Sequence, residues 1–565
     1  MLEFFDTETV NNKSVLICNS NEYLWNSKGL TSLECIDFLF NKSQKYNYFF
    51  RIDYDVNMII KDWSKKDIIK LYDGEQVYYK GYTIIYYKDK ILSVSKDKKR
   101  KRFFDVSNFF NTSLLNTIQI LEIELTEKEK NFIELMKSNR SDFKLRDKDK
   151  IIQYSLLENK IGIKIVNKIY ELIPEELKTY NLYGSSVLAN NFLNLKFIKG
   201  SFTFSTKVFE ESYFGGRMEC FKIGKFKNIY KYDINSAYPA VIKDLREPLF
   251  YEIKKYNKEK IVDTNIYEVE FEHPDKFQIG TLPVRLKNGY LVFPLKGKGY
   301  YYGVELKQAI KRNLKLKIYN YLDIKLGYKL FNGEIEKYYK QRQELKKKND
   351  KKNLIIKILL NSIYGKFAQS TGKPRFRNLY LAGYITASVR AKLLEASYNK
   401  DNEIIFFATD GILTKSKLDL PISYELGDWE LINIKEAYVI LSGVYKLIDI
   451  NGKIHKGERG YKLEFDELLK SIEKKGLYDV ELPVFISNVY AYKNHKMYLK
   501  DKCKFIKIKK RVDIKQQHKR LFITFDINSE NSSELLTDEI LNKVNNLPSL
   551  KDFTANIFDE DFDIM

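Results

Sequence analysis

Proline is scarce in this chain, with 10 among 565 residues, and there are only 26 glycines. No Pro- or Gly-rich linker separates one region from the next, so domain boundaries must be read from motifs. The four cysteines (Cys18, Cys35, Cys220, Cys503) lie far apart. Neither they nor the four histidines show a metal-ligand spacing, which argues against structural zinc and for a reducing compartment. The opening MLEFFDTETV has neither the basic start nor the apolar core of a secretion signal. No apolar run reaches the ~18 residues that suggest a membrane span. A cytoplasmic protein with no membrane partner is expected.

What the chain does have is positive charge and aromatic rings. The formal charge is +22 and aromatics reach 15%. Part of that excess reflects a composition rich in Lys, Ile, Asn and Tyr, as an A/T-rich coding sequence produces. The remainder points to a polyanionic partner, most often nucleic acid. The length exceeds what one hydrophobic core supports, so several subdomains are expected.

The most informative stretch is KILLNSIYGKF. Lys357, Asn361 and Tyr364 recur at i, i+4 and i+7, so on a helix they share one face. Upstream, KYDINSAYPA puts Asp233 at the end of an apolar–aromatic strand. Downstream, EIIFFATDGILTK flanks Asp410 with two apolar runs, a hairpin signal. A lone Asp at a turn is usually structural. Two of them, on separate strands flanking a helix with a cation and a ring, suit nucleotidyl transfer. There paired carboxylates hold two Mg²⁺ and a Lys neutralises triphosphate charge.

These segments resemble the motifs of family B DNA polymerases. YDINSAYP resembles motif A, KILLNSIYG matches motif B (K-x-x-x-N-S-x-Y-G), and FFATDGI resembles motif C. SYFGGR resembles the Y-x-G-G connector of the protein-primed branch found in phages and linear plasmids. The resemblance implies a multidomain α/β and α+β fold, an RNase H-like 3′–5′ exonuclease domain followed by a right hand of palm, fingers and thumb. It implies that Asp233, Asp410 and the Ile234 carbonyl face Mg²⁺, with Mn²⁺ as a substitute. Tyr238 lies under the deoxyribose. Lys357, Asn361 and Tyr364, with Arg342 and Lys346 on the preceding helix, form the nucleotide pocket. Tyr213, Gly215, Gly216 and Tyr445 contact DNA. The partners implied are primer–template DNA, dNTPs and a separate priming protein, in a host cytoplasm if the chain is viral or plasmid-encoded.

The N-terminal region resembles the same family's exonuclease. Asp6 and Glu8 in LEFFDTET, read as one strand, fall on one face and can share a metal. RIDYDVNMII offers Asp55, with Asp53 as an alternative two residues earlier. YSLLE resembles Y-x-x-x-D, with Tyr154 matching and Glu158 in place of Asp; one helical turn brings them to one face.

Two positions depart from the family pattern. Ala408 stands where motif C carries an Asp, and Gly443 stands where a K-x-Y motif carries its Lys. Lys456 or Arg459 could supply that missing cation. The alternative to an active polymerase is therefore a catalytically weakened, nucleic-acid-binding protein on the same fold. The expected division is exonuclease 1–185, connector 186–226, palm 227–333 with a segment suited to a priming-protein insertion, fingers 334–372, palm 373–430, thumb 431–540 and an acidic tail 541–565. Only STGKPRFR is left for a loop between the motif B helix and the next apolar run.

Overall fold

The computed structural model describes residues 1–197, 206–276, 278–370, 374–459, 463–494, 499, 502–515 and 518–545. The expected acidic tail falls almost wholly outside these, as do 371–373 of STGKPRFR and 460–462 at the end of HKGERGYK. The chain divides into two compact units. One is Met1–Lys196 with Gln341–Ser362 and Pro483–Ile508; the other is Phe197–Lys340 with Ile363–Leu482 and Lys509–Met565.

In the first unit a six-stranded sheet runs in the order Leu2–Phe4, Tyr46–Phe49, Lys99–Asp105, Ile91–Lys96, Tyr82–Tyr87, Val77–Tyr79. The first two pairings are parallel and the rest antiparallel. LEFFDTET is not one strand. It breaks at Phe5, and Asp6–Val10 joins a separate three-stranded sheet with Lys13–Cys18 and Tyr23–Trp25. The cause is packing. The Phe5 ring is buried against Phe38, Phe49 and Phe103, and its amide donates to the Tyr48 carbonyl. VYYKGYTIIYYK forms a hairpin whose Lys80 and Gly81 both have positive φ, as a tight two-residue turn requires. Helix Lys148–Leu172 buries Ile151, Tyr154, Glu158, Ile161 and Ile165 at spacings of three and four residues.

The second unit is built on a large sheet. Its long strand Lys222–Ile234 pairs antiparallel with Gly411–Thr414 on one side and Trp429–Leu441 on the other. Ile404–Thr409 and then Arg217–Cys220 continue the first side. Within the connector expected at 186–226, Arg217–Cys220 is thus a strand. One side of the sheet buries Tyr232, Ile234 and Phe407 with Val389, Leu393 and Leu394 of helix Leu379–Ala396. The other buries Ile223, Phe226, Ile405 and Leu413 with Leu468 and Ile472 of helix Phe465–Lys475. A second, four-stranded sheet lies between motifs A and B, formed by Arg246–Lys255, Lys315–Lys329, Ile266–Glu272 and Lys296–Tyr302. The region expected as fingers, 334–372, holds two helices, Glu334–Lys347 and Lys352–Ala368.

Candidate active sites

The first unit gathers carboxylates. Asp6, Glu8 and Glu158 each bring an oxygen to a common point, all within 4.8 Å of one another. The strand Asp6–Val10 supplies two and the buried face of Lys148–Leu172 the third. Glu158 reaches the cluster although its side chain is one methylene longer than the expected Asp. Asp55, on helix Ile52–Ile59, accepts from the Thr7 hydroxyl at 2.7 Å and the Thr7 amide at 3.0 Å. Asp53 instead accepts from the Tyr72 and Tyr86 hydroxyls, away from Thr7. That separates the two candidates of RIDYDVNMII: Asp55 is the one held against the strand of Asp6. Tyr154 is fully buried and packs edge-on to Phe143.

Burial pushes the Asp6, Glu8 and Asp55 carboxyls upward; Arg140 pulls each of them back down, and neighbouring carboxylates push further up. Asp6 Oδ2 is buried and accepts no hydrogen bond. Three hard oxygen donors that repel one another, one of them with an unpartnered buried oxygen, fit a divalent cation such as Mg²⁺ or Mn²⁺. Two basic residues that sequence reasoning missed stand at the same cluster. Arg140 grips Glu8 through two nitrogens, at 2.9 and 3.1 Å, and Lys137 lies 2.9 Å from Glu158. Their signal was faint: two cations shortly before the long helix, in a chain full of lysine.

The second unit brings motifs A and C together. Asp233 pairs across the sheet with Gly411, and Gly411 with Ala408. The Ile234 amide donates to the Asp410 carbonyl at 2.9 Å. Thr409, the last residue of the first hairpin strand, has φ +56°. A β-branched residue there costs ~1–3 kcal/mol, and such strain clusters at functional sites. A Cβ at Gly411 would stand 2.4 Å from Asp233 Oδ1, so glycine keeps that carboxylate accessible. Two aspartates on adjoining strand ends, one with an open approach, fit divalent metal. Lys231, two residues before Asp233 on the same strand, is ion-paired to Asp233 Oδ2.

Three tyrosines sit beside this turn. The Tyr238 and Tyr364 rings are 4.6 Å apart, and the Tyr213 and Tyr364 hydroxyls are 2.6 Å apart. Burial raises Tyr238 to about 12, so it stays neutral. A Cβ at Gly216 would come within 2.9 Å of the Tyr238 hydroxyl and 3.0 Å of Thr409 Cγ2, so this glycine admits the chain's own side chains. Gly215 faces open space. The connector is clamped by donors that sequence reasoning did not find. Arg285 donates to the Tyr213 carbonyl at 2.8 Å, Thr386 to Phe214 at 2.6 Å, and Arg390 to Phe214 and Gly215 at 2.7 and 2.6 Å. Arg390 is itself oriented by buried Glu305 at 2.8 Å.

On helix Lys352–Ala368, Lys357 and Asn361 are exposed and Tyr364 is half-buried. Lys357 and Asn361 fall in the segment that clusters with the first unit, as do Arg342 and Lys346. Arg342 is half-buried and Lys346 exposed. Tyr445 stacks on Phe406 at 5.0 Å. Gly443 has φ +78°, and the space a Cβ would take there is already filled by Arg459, whose Cγ is 2.9 Å away. Lys456 lies 3.8 Å from Glu458.

Residues 200–376 match the family model described as DNA polymerase type B, organellar and viral. Over that span the chain is similar to the family B DNA polymerases. A DNA polymerase of an Acidianus bottle-shaped virus is 28% identical over 370 residues, covering 60% of this chain and 54% of that protein. A DNA-directed DNA polymerase of Enterobacteria phage PRD1 is 27% identical over 279 residues, covering 40% and 48%. The chain therefore spans about half the length of these curated relatives. In fold it is similar to Phi29 DNA polymerase, with a TM-score of 0.66 at 15% identity over 91% of this chain and 99% of that one. The exonuclease-plus-right-hand class expected from the motifs is the class observed. Ala408, on the row of Gly411 and Asp233, leaves the site one carboxylate short of the motif C pattern it resembles.

Proposed function

We propose that this chain is a template-directed DNA polymerase that extends a primer 3′-hydroxyl with dNTPs and edits with a 3′–5′ exonuclease. The observation that carries the reading is the meeting of Asp233 and Asp410 at adjoining strand ends, joined through the Ile234 amide.

Asp233, Asp410 and the Ile234 carbonyl are the residues to hold Mg²⁺ or Mn²⁺ in the polymerase site. Ions bound there supply activation of the attacking hydroxyl and neutralise charge on the phosphates. The chain's own residues do the rest. Tyr238, buried and neutral against Tyr364, stands as a wall beneath the sugar that leaves no room for a 2′-hydroxyl. In the first unit Lys357, with Arg342 and Lys346, carries charge suited to a triphosphate and Asn361 a polar group suited to a nucleotide; in the second unit Tyr364 backs Tyr238 as a nucleotide contact. Tyr213, Gly215 and Gly216 meet the template backbone, and Tyr445 meets the primer end. Asp6, Glu8 and Glu158 hold metal for editing, with Asp55 and Tyr154 lining that site. Primer–template DNA and dNTPs are the ligands. The four-stranded sheet between motifs A and B is the segment we assign to a separate priming protein.

The test is a labelled primer–template incubated with Mg²⁺, with and without dNTPs. Asp410→Asn is expected to lose extension by at least ~10³-fold while still shortening the primer. Asp6→Asn combined with Glu8→Gln is expected to do the reverse. Near-normal extension by the Asp410 variant would sink the assignment. No incorporation by the wild-type chain at any metal concentration would favour the weakened, DNA-binding reading.

A further inference from the structure

The sheet face that carries Asp233 also carries Lys231, because alternate residues of a strand share a face. Directly paired residues of an antiparallel sheet do so too. Ala408, Gly411 and Asp233 form one row; Phe406, Leu413 and Lys231 form the next. Tyr445 stacks on Phe406 at the end of that second row. The Lys231 side chain is 17% exposed and its ammonium is ion-paired with Asp233 Oδ2. One of the two carboxylates that define the site therefore has a cation of its own chain as its partner. The row of that carboxylate has Ala408 where a third carboxylate would add attraction for metal.

We propose that Lys231 is a displaceable counter-ion, a positioning residue whose ammonium competes with divalent metal for Asp233 and sets the metal affinity of the polymerase site. This rests on the assignment of Asp233 and Asp410 as metal-holding residues. The physical argument is exclusion at one oxygen. Asp233 Oδ2 cannot give its short contact to Lys231 and coordinate an ion in the same direction. Asp233 Oδ1 is the oxygen left accessible by Gly411. A metal on Oδ1 alone leaves Asp233 shared between two cations that repel each other, and full use of the carboxylate requires the ammonium to swing away, so the free energy of the ion pair is subtracted from metal binding. The coupling is reciprocal: metal loading releases the ammonium into the site, next to Tyr445.

The experiment measures Mn²⁺ binding directly by electron paramagnetic resonance. It uses the full chain carrying Asp6→Asn and Glu8→Gln, so that the other carboxylate cluster does not contribute. Lys231→Met keeps the length of the side chain and removes its charge. It is expected to tighten Mn²⁺ binding by at least ~5-fold, the low end of typical coupling between mutually exclusive ligands. Lys231→Arg, which keeps a cation, is expected to stay near the parent affinity. A folded Lys231→Met protein, checked by circular dichroism, with unchanged or weaker Mn²⁺ binding would overturn the proposal. If Lys231→Met does not fold, the same competition is read from Lys231→Gln. Asp233→Asn and Asp410→Asn separate the two levels of inference. If they leave Mn²⁺ binding intact, the metal assignment itself fails. If they abolish it and removal of the Lys231 charge has no effect, only the role of Lys231 fails.

Discussion

At the scale of single residues, the second unit places unusual demands on small and buried groups. Gly216 has Tyr238 and Thr409 against it at 2.9 and 3.0 Å from a would-be Cβ. Gly216→Ala is expected to push both aside and to cut dNTP incorporation by ~10²-fold, since misplacements of about 1 Å cost that much. Primer shortening should remain, and equal loss of both activities would point to misfolding instead. His273 makes a different kind of demand. Its Nε2 accepts from the Thr281 amide at 3.1 Å, and burial lowers its pKa to about 4. The unfolded chain takes up a proton at the ordinary histidine pKa of ~6.5, while the folded chain refuses it until about 4. The stability from neutral His273 is therefore complete above pH ~6.5 and lost as pH falls toward 4, a loss of about 3 kcal/mol. Urea midpoints at pH 7.5 and 4.5 check this, because His273→Gln should lose less on acidification than the parent. An identical loss in both would remove His273 from the account.

At the scale of elements, the carboxylate cluster of the first unit depends on how one helix seats on one strand. A Cβ at Gly162 would stand 2.5 Å from the Phe4 ring, and Phe4 is buried. Glu158 lies one turn before Gly162 on the same buried face. Gly162→Ala gains helix propensity, worth ~1 kcal/mol, yet forces strand and helix apart. Overpacking of this kind costs ~1–3 kcal/mol. The net expectation is a lower melting temperature and a loss of primer shortening larger than any loss of extension. A variant more stable than the parent, with editing intact, would mean that Phe4 has room to move. Much of this geometry was legible beforehand. Tyr154 and Glu158 are one turn apart in the sequence and one turn apart on the helix. The break at Phe5 was not legible, because LEFFDTET has the composition of a continuous strand. Only the burial of Phe5 among Phe38, Phe49 and Phe103 turns the chain from one sheet into the next.

At the scale of the whole molecule, charge dominates. A formal charge of +22 predicts that binding to primer–template DNA rests on phosphate contacts. Raising salt from 50 to 200 mM should then weaken binding by ~10³-fold or more if six or more phosphates are neutralised. Fluorescence anisotropy with a labelled duplex measures it. A change below ~10-fold would mean that few phosphates are engaged. Among the described residues no helix is long and apolar enough to cross a membrane.

Motif order and helical spacing in the sequence alone were enough to give the family resemblance, the fold class and the carboxylates to examine. Those signals are local: K-x-x-x-N-S-x-Y-G fits one face of one helix, and Asp410 sits at a hairpin tip whatever surrounds it. Partnership needed tertiary structure. That Asp55 rather than Asp53 faces Thr7 depends on which side of helix Ile52–Ile59 meets the strand. The carbonyls of 213–215 are held by Arg285, Thr386 and Arg390, residues some 70 to 180 positions away. The pairing of Lys231 with Asp233 lies between the two cases. Their shared face follows from the spacing of two, but the ion pair required the burial that only the folded sheet provides. A chain with this many lysines gives no local sign of which one faces a carboxylate, because that choice is made by packing and not by composition.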